Sequence, residues 1–567
     1  MARKREVITY NGALRGKYLT ESDCQRLDML LSIWERGGSI PDLAGVITNL
    51  NSEEVNQVLE TGVPIEEPEK GRLRDYQTVA VAYAYFAKRC MIGSSVGLGK
   101  TVITAGLLNL LKIEKEKKEG ENGEKFSFLF LTDTNTIKQH EREFTKFTNM
   151  VCKATTGEKG RVAKLLGNTG LDERPNIIGS HSLLTQALFF DAVEEYRNKW
   201  GKNPFDIVVV DESSRVGVAT GPFGGVKSKL YANTKWLIKD LDRVIGLNAT
   251  PFEKNLMTFF GQLNLLDDTL MPTKTAFIDR YVVTAYQGRA WAEPTGEYKN
   301  EEEFQDLIRY RYLNQTRKDI GGVIEESSAE LIEVDLTDVQ KKLLRETSMP
   351  HMVYDAPWYF DDNEYGVNTG STNKLKVLNE EVAKAVVERG NCLVYCHYKE
   401  AQYGVQYYLE SRGDMTVEVL NGSMSFQEKN EAIDRFTSGE TQVLVTNVQK
   451  GLNFNNCNDL IFYAPIGNPN TMVQVEGRIT RELNIVDKHV KVIVTKGSEA
   501  EQFRKSIAQT ALASETFAGA DHSLVLNLLK KESLKAANGG KGKKQPDWVP
   551  DKAKKEPEKV ETLNIEW

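Results

Sequence analysis

The chain has 567 residues, 40% of them hydrophobic and 27% charged, with a formal net charge of −7. That balance fits a globular chain with room for roughly two to four domains. No apolar run reaches the ~18 residues of a membrane span and no secretory signal occurs, so neither a membrane span nor export is expected, and an intracellular protein is. The net charge argues against indiscriminate polyanion binding but leaves room for a local basic groove. Cys24, Cys90, Cys152, Cys392, Cys396 and Cys457 are scattered. Cys392, Cys396 and His397 lack a second ligand pair, so buried strand thiols are expected rather than a metal site.

Residues 1 to 70 read as a helical accessory region. Thr20 and Asp23 can open a helix that carries Leu27, Leu30, Leu31 and Trp34 on one face and ends at Gly37-Gly38. Shorter units follow through Leu43, Val46, Ile47 and Leu50, then through Val55, Val58 and Leu59. They read as a helix-turn-helix or as a small bundle packed on the next domain. The acidic Glu53, Glu54 and Glu60 favour the bundle. Pro64 and Pro68, among Glu66, Glu67 and Glu69, read as a linker.

Arg89 to Gly93 is a short strand pattern, and Val102 to Leu108 begins an apolar helix. Between them stand Ser94, Ser95, Val96, Gly97, Leu98, Gly99, Lys100 and Thr101. Strand, glycine loop and helix are the context of a phosphate-binding loop. Its backbone N–H groups and the positive helix end attract phosphate. Lys100 would reach the outer phosphates and Thr101 would hold Mg²⁺. The alternative is an ordinary glycine turn before a buried helix. Upstream, the Gln77 amide can pair with an adenine edge, or it is an exposed residue at a helix start.

The mixed charges from residue 111 to 125 read as a helix end and solvated loop. Phe126 to Thr132 is a strand, followed by a helix with Lys138, Gln139 and His140. Asn176 to Ser180 repeats the pattern and ends in Ser180-His181-Ser182. Hydroxyls at such turns serve as phosphate-backbone contacts or as plain helix caps. Phe205 to Val210 is a buried-type strand that delivers Asp211-Glu212-Ser213-Ser214. An acid at that place holds Mg²⁺, and a neighbouring glutamate orients attacking water. The competing reading is a solvated acidic turn. Val244 to Leu247 leads to Asn248-Ala249-Thr250-Pro251, then an apolar helix through Leu256, Phe260 and Leu266. The stretch from 271 to 330 is irregular and contains Arg309, Arg311, Arg317 and Lys318 as a candidate basic face.

A second alternating series begins near Leu331. Its strands are Cys392 to Cys396, Val417 to Leu420, Val443 to Thr446, Leu460 to Tyr463 and Val490 to Thr495. Alternation with helices argues for a second parallel sheet. Between the last two strands, Gln474 precedes Arg478 and Arg481, three apart on one helical face. Such arginines stabilise transferring phosphoryl charge, or are surface residues. From about Ser533 the chain is poor in apolar residues and reads as disordered. Leu563 to Trp567 is a docking peptide or a plain terminus.

In order, these stretches resemble superfamily 2 helicases and translocases, nearest to the SWI/SNF-type double-stranded DNA translocases, from about Arg72 to Phe503. The resemblance implies an α/β protein with two tandem RecA-like parallel-sheet lobes, a small N-terminal helical domain and a disordered C-terminal tail. The expected boundaries are 1–70 for the accessory region, 71–270 for lobe 1, 271–330 for an inter-lobe insertion, 331–520 for lobe 2 and 521–567 for the tail. Gln77 then reads adenine, Gly97 to Thr101 is motif I, and Asp211-Glu212 is motif II. Asn248 and Thr250 lie in motif III. Gly451 and Asn453 belong to motifs IV to V, and Gln474, Arg478 and Arg481 to motif VI. Ser94, Ser213-Ser214 and Gln449-Lys450 depart from the family pattern. The implied cofactors are ATP and Mg²⁺. The implied partner is duplex or branched DNA, with RNA as the alternative, and a protein partner is open for residues 1 to 70 or the tail. The implied activity is ATP-driven translocation that remodels forks or recombination intermediates, or displaces proteins. The alternatives are an RNA helicase and a non-enzymatic scaffold with a degenerate ATP site.

Overall fold

The computed structural model describes residues 15–35, 73–120, 123–148, 150–155, 160–217, 228–249, 256–271, 273–284, 294–360, 371–448, 454, 456–466, 469–480, 484–504, 523–525, 527–528 and 531–532. Apolar runs in the first half form β1 (Arg89–Ser94), β2 (Phe128–Thr132), β3 (Cys152–Thr155), β4 (Asn176–Ser180), β5 (Ile207–Asp211) and β6 (Arg243–Leu247). After two short strands, β7 (Val282–Thr284) and β8 (Pro294–Tyr298), the chain adds β9 (Tyr312–Gln315). The first sheet has the order β3-β4-β2-β5-β6-β1-β9. All its pairings are parallel.

Helices cover both faces, so the central strands are apolar on both sides. Phe128 and Phe130 point to one face and pack with Val81, Leu107 and Phe144. Leu129 and Leu131 point to the other, with Phe189, Val193 and Phe259.

The second half forms β10 (Ile324–Glu325), β11 (Ser328–Val334), β12 (Cys392–Tyr395), β13 (Val417–Leu420), β14 (Val443–Thr446), β15 (Asp459–Phe462), β16 (Ile485–Val486) and β17 (His489–Thr495). Six of them make a sheet of order β11-β17-β15-β12-β14-β13, while β10 and β16 form a separate small ladder. The second sheet is also parallel throughout. The expected pair of α/β lobes is therefore present. Cys392, Cys396 and Cys457 are buried free thiols, and no metal-type cluster of three or more side chains occurs among the described residues. No helix among them is long and apolar enough to cross a membrane.

Three boundaries differ from the expected ones. First, lobe 1 does not end at 270, because β9 pairs with β1 through Met91–Tyr312 and Ser94–Gln315. Phe277, Tyr281 and Phe304 also join its core, with the Phe277 and Phe304 rings 5.7 Å apart. The mixed Tyr-Leu-Asn-Gln run of β9 carries too little apolar signal to mark a strand. Second, the helix Glu21–Glu35 packs directly on lobe 1. Its Leu27, Leu30 and Leu31 share a core with Val79, Tyr83 and Phe86, and Lys88 pairs with Asp23 at 2.7 Å. The suggested helix-turn-helix and the proline linker lie outside the described residues. Third, the tail does not begin at 521. Leu524, Val525 and Leu528 are buried in the core of lobe 2. Residues beyond 532 lie outside the described ones.

The N-terminal segment is fastened by a buried ion pair. Arg311 Nη2 meets Asp267 Oδ2 at 3.1 Å, and neither side chain is exposed (0% each). The same guanidinium donates to Arg15 O at 2.8 Å, and Lys17 N donates to Asp267 at 3.1 Å. Arg311→Met strands the Asp267 carboxylate in the core and should destabilise lobe 1 by about 3–5 kcal/mol. The measurement is the midpoint of urea unfolding.

Candidate functional site

A parallel sheet brings every strand's carboxyl end to one edge, and the candidate site is built there. β1 runs into the glycine loop. Gly97 and Gly99 take φ of 88° and 77°, a region that residues with a side chain rarely adopt. A Cβ on Gly99 would also stand 2.6 Å from Gln77 Nε2. The helix Lys100–Glu119 starts at the loop's end, so its first N–H groups face the space above the loop. Lys100 Nζ donates to Ser94 O at 2.7 Å and to Ser95 O at 3.3 Å.

Ser94 stands where a glycine was expected, and its hydroxyl has a specific partner. It is fully buried and donates to Gln315 Oε1 at 2.9 Å. Ser95 N and Oγ donate to Gln315 O at 3.0 and 3.3 Å. Gln315 Nε2 donates in turn to Tyr76 O at 2.7 Å. The last residue of β9 thus holds the loop from behind. Gln77 is placed against the loop and does not reach the cavity. Its Oε1 accepts from Arg74 N at 2.9 Å and its Nε2 donates to Leu98 O at 3.3 Å.

β5 delivers Asp211. Thr132 Oγ1 donates to Asp211 Oδ2 at 3.0 Å, His140 Nε2 lies 3.5 Å from the same oxygen, and His181 Nε2 is 2.8 Å from Asp211 O. His140 Nδ1 is also 3.4 Å from Thr101 Oγ1. Burial alone would push the Asp211 carboxyl up. The hydrogen bond and charge of His140, the charge of Lys100 and the Thr132 hydroxyl outweigh it and hold the group at about 2. Glu212 follows at φ 51°, a strained conformation for a non-glycine residue.

A cavity of about 350 Å³ lies over the loop, with Lys100, Thr101, Asp211 and Glu212 on one wall and Gln474 and Arg478 of lobe 2 on the other. That volume falls within the ~300–1,000 Å³ usual for small-ligand sites. Gln474 Nε2 donates to Glu212 Oε2 across the cleft at 3.3 Å. Thr101 and Asp211 offer hard oxygen donors to the same space, which suits Mg²⁺. The positive-φ glycines and the adjacent lysine suit a polyphosphate.

A family description of the SNF2-related domain matches residues 49–389, and one of the helicase conserved C-terminal domain matches 373–482. The chain belongs to the SNF2-related family. Chromodomain-helicase-DNA-binding protein 7 of Homo sapiens is 26% identical over 294 residues, 49% of this chain and 9% of that protein. YwqA of Bacillus subtilis, named as a candidate ATP-dependent helicase/translocase, is 23% identical over 468 residues, 76% of this chain and 47% of that one. This chain thus spans less than half the length of either relative. A solved structure, the SWI2/SNF2 ATPase core of Sulfolobus solfataricus in complex with dsDNA, shares 18% identity over 82% of this chain and 97% of that one, with a TM-score of 0.36.

One departure from the SNF2 pattern acquires a structural role. Ser213 Oγ donates to Gln262 Oε1 at 2.7 Å, and Asn248 Nδ2 lies 3.5 Å from the same oxygen. Gln262, on the helix Leu256–Leu266, therefore joins the turn after β5 to the turn after β6. Thr250, Gly451, Asn453 and Arg481 lie outside the described residues. Sequence pattern does not single out Gln262, Gln315, His140 or His181 as site residues. For His140 and His181, their positions in strand-to-helix segments are the only hint.

Ser94→Gly, which restores the usual glycine, should cost about 1–3 kcal/mol because Gln315 Oε1 loses its buried donor. The readout is a denaturant titration. Asp211 supplies a pH test. Its folded value of about 2 lies below the ordinary 3.8. Its stabilisation is therefore complete above 3.8 and is lost as the pH falls toward 2. Asp211→Asn should remove that portion of the acid dependence, followed by unfolding midpoints across the same pH range.

Proposed function

We propose that this SNF2-family chain is an ATP-dependent translocase on duplex or branched DNA. The observation that carries the reading is the cavity whose two walls come from different lobes, with Lys100 and Glu212 on one side and Gln474 and Arg478 on the other. In this reading ATP lies between the lobes. Lys100 neutralises the outer phosphates as it exchanges the loop carbonyls for them. Thr101 and Asp211 hold Mg²⁺, which supplies charge neutralisation at the phosphate oxygens. Glu212 orients the attacking water, and the Gln474 amide fixes that carboxylate. Arg478, with Arg481, meets the transferring phosphoryl group from lobe 2. Val96, Gly97 and Gly99, which line the cavity, cradle the phosphates, while Ser94, Ser95 and Leu98 support the loop from behind. Gln77 exchanges Arg74 and Leu98 for the adenine edge. Asn248, Thr250, Gly451, Asn453 and Gln474 couple turnover to lobe movement.

Support for DNA comes from the family and from the names its relatives carry. A lobe arrangement that ATP favours and ADP does not would move the protein along a phosphate backbone. Backbone contacts carry no sequence information, so little sequence preference and strong salt sensitivity are expected. Remodelling of forks or recombination intermediates, or displacement of bound proteins, falls within this reading.

The deciding experiment is steady-state ATP hydrolysis alone and with single-stranded DNA, duplex DNA, a four-way junction and duplex RNA. Duplex or junction DNA should stimulate the rate. Stimulation by RNA only would replace DNA with RNA as the partner, and flat near-zero rates with every polymer would favour a scaffold. Lys100→Ala should abolish turnover. Glu212→Gln should keep nucleotide binding but not hydrolysis. Wild-type rates in both variants would overturn the assigned site.

A further inference from the structure

The chain leaves β9 through a fixed turn. Thr316 N and Oγ1 both donate to Asp319 Oδ2 at 2.8 Å, and Gly322 N donates to Arg317 O at 2.8 Å. Arg317 is therefore held to lobe 1 by its backbone. Its side chain goes elsewhere. Only 3% of Arg317 is exposed. Its Nη2 donates to Val96 O, in the glycine loop, at 2.6 Å and also to Thr480 O, in lobe 2. Thr480 lies two residues after Arg478.

The surroundings make this contact close and dry. Gly477 meets Val96 so tightly that a Cβ there would stand 2.5 Å from Val96 Cγ1. Glu476 is 1% exposed. Burial pushes its carboxyl up, while Ser523, Leu524, Val525 and the Arg317 charge pull the other way. A guanidinium so buried is tolerated only where carbonyls and an opposite charge replace water. Both conditions hold only while lobe 2 sits against the loop.

We propose that Arg317 is a positioning residue that ties the phosphate loop to the arginine-bearing turn of lobe 2 and thereby stabilises the closed cleft. This rests on the proposed function, in which Arg478 acts from lobe 2. When the lobes part, Arg317 stays with β9, keeps Val96 and loses Thr480. Its contribution therefore appears in the closed state and not in nucleotide capture by lobe 1. Positions 315 and 317 act in sequence, since Gln315 sets the loop within lobe 1 and Arg317 carries that setting across.

The test compares wild type, Arg317→Ala and Arg317→Lys in the full chain with duplex DNA. Three quantities are measured: kcat for ATP, affinity for a fluorescent non-hydrolysable ATP analogue, and compaction by small-angle scattering on adding that analogue. In Arg317→Ala, kcat should fall by about tenfold or more, as expected when catalytic groups from two lobes lose alignment. Analogue affinity should fall by less than kcat does, because the lobe 1 contacts persist while closure, which nucleotide favours, becomes harder. Compaction should be reduced. Lysine, which can still reach a carbonyl, should restore part of both kcat and compaction. If the alanine variant does not fold, the lysine variant decides through a smaller kcat loss that still exceeds its loss of affinity. Unchanged kcat and compaction would overturn the inference. So would parallel losses of affinity and kcat that lysine does not rescue. A wild type without nucleic-acid-stimulated hydrolysis would instead overturn the proposed function, a result separable from the scattering change.

Discussion

The all-parallel first sheet is the constraint on which the rest depends. Because β5, β6, β1 and β9 are neighbours and run the same way, their carboxyl ends converge within a few residues of one another. The loop after β1, Asp211 at the end of β5, Asn248 after β6 and Gln315 at the end of β9 are therefore brought together by backbone pairing. Side chains then refine the positions. The Gln315 side chain takes up Ser94 while its main-chain carbonyl takes up Ser95, and the Gln262 side chain takes up Ser213 and Asn248. At Gln315 one amide accepts from the Ser94 hydroxyl and donates to the Tyr76 carbonyl, and at Gln262 a single amide oxygen accepts from two neighbours.

Charge in the cleft is arranged by the same economy. Asp211 stays ionised despite burial because His140, Lys100 and Thr132 replace water around it. Glu212 is offered to lobe 2 through Gln474, while Arg478 faces the opposite wall. The two carboxylates thus differ in surroundings although they are adjacent in sequence. One is enclosed within lobe 1, and the other reaches across. That division suits the separate roles proposed for them, holding a cation and orienting a water molecule.

Much of this was legible in the sequence because it is local. The glycine loop, the buried runs of β2, β5, β12 and β14, and the acidic pair at the end of β5 are each set by a few consecutive residues. β3 and β9 were not legible, since Cys-Lys-Ala-Thr and Tyr-Leu-Asn-Gln owe their strand form to neighbours far along the chain. Nor could local pattern show that Gln315 meets Ser94 across 221 positions or that Arg317 meets Val96 across the same span. The serine that breaks the glycine pattern makes sense only with that distant glutamine beside it. The burial of Leu524, Val525 and Leu528 was equally hidden, because a short apolar cluster beside a polar tail has no period of its own.

Glu476 has one further consequence, for the order in which the molecule can be made. Its carboxylate accepts from Ser523 Oγ at 2.5 Å, Leu524 N at 2.8 Å and Val525 N at 3.1 Å. Until those groups arrive, a buried acid beside Gly477 and Arg478 lacks these donors, and such a group resists burial. During synthesis, then, lobe 1 and most of the second sheet can settle while the arginine turn waits. The three donors from residues 523 to 525 become available to it only once that stretch has been made. A product truncated before residue 523 would carry its phosphate loop but lack the donors that seat its arginine turn.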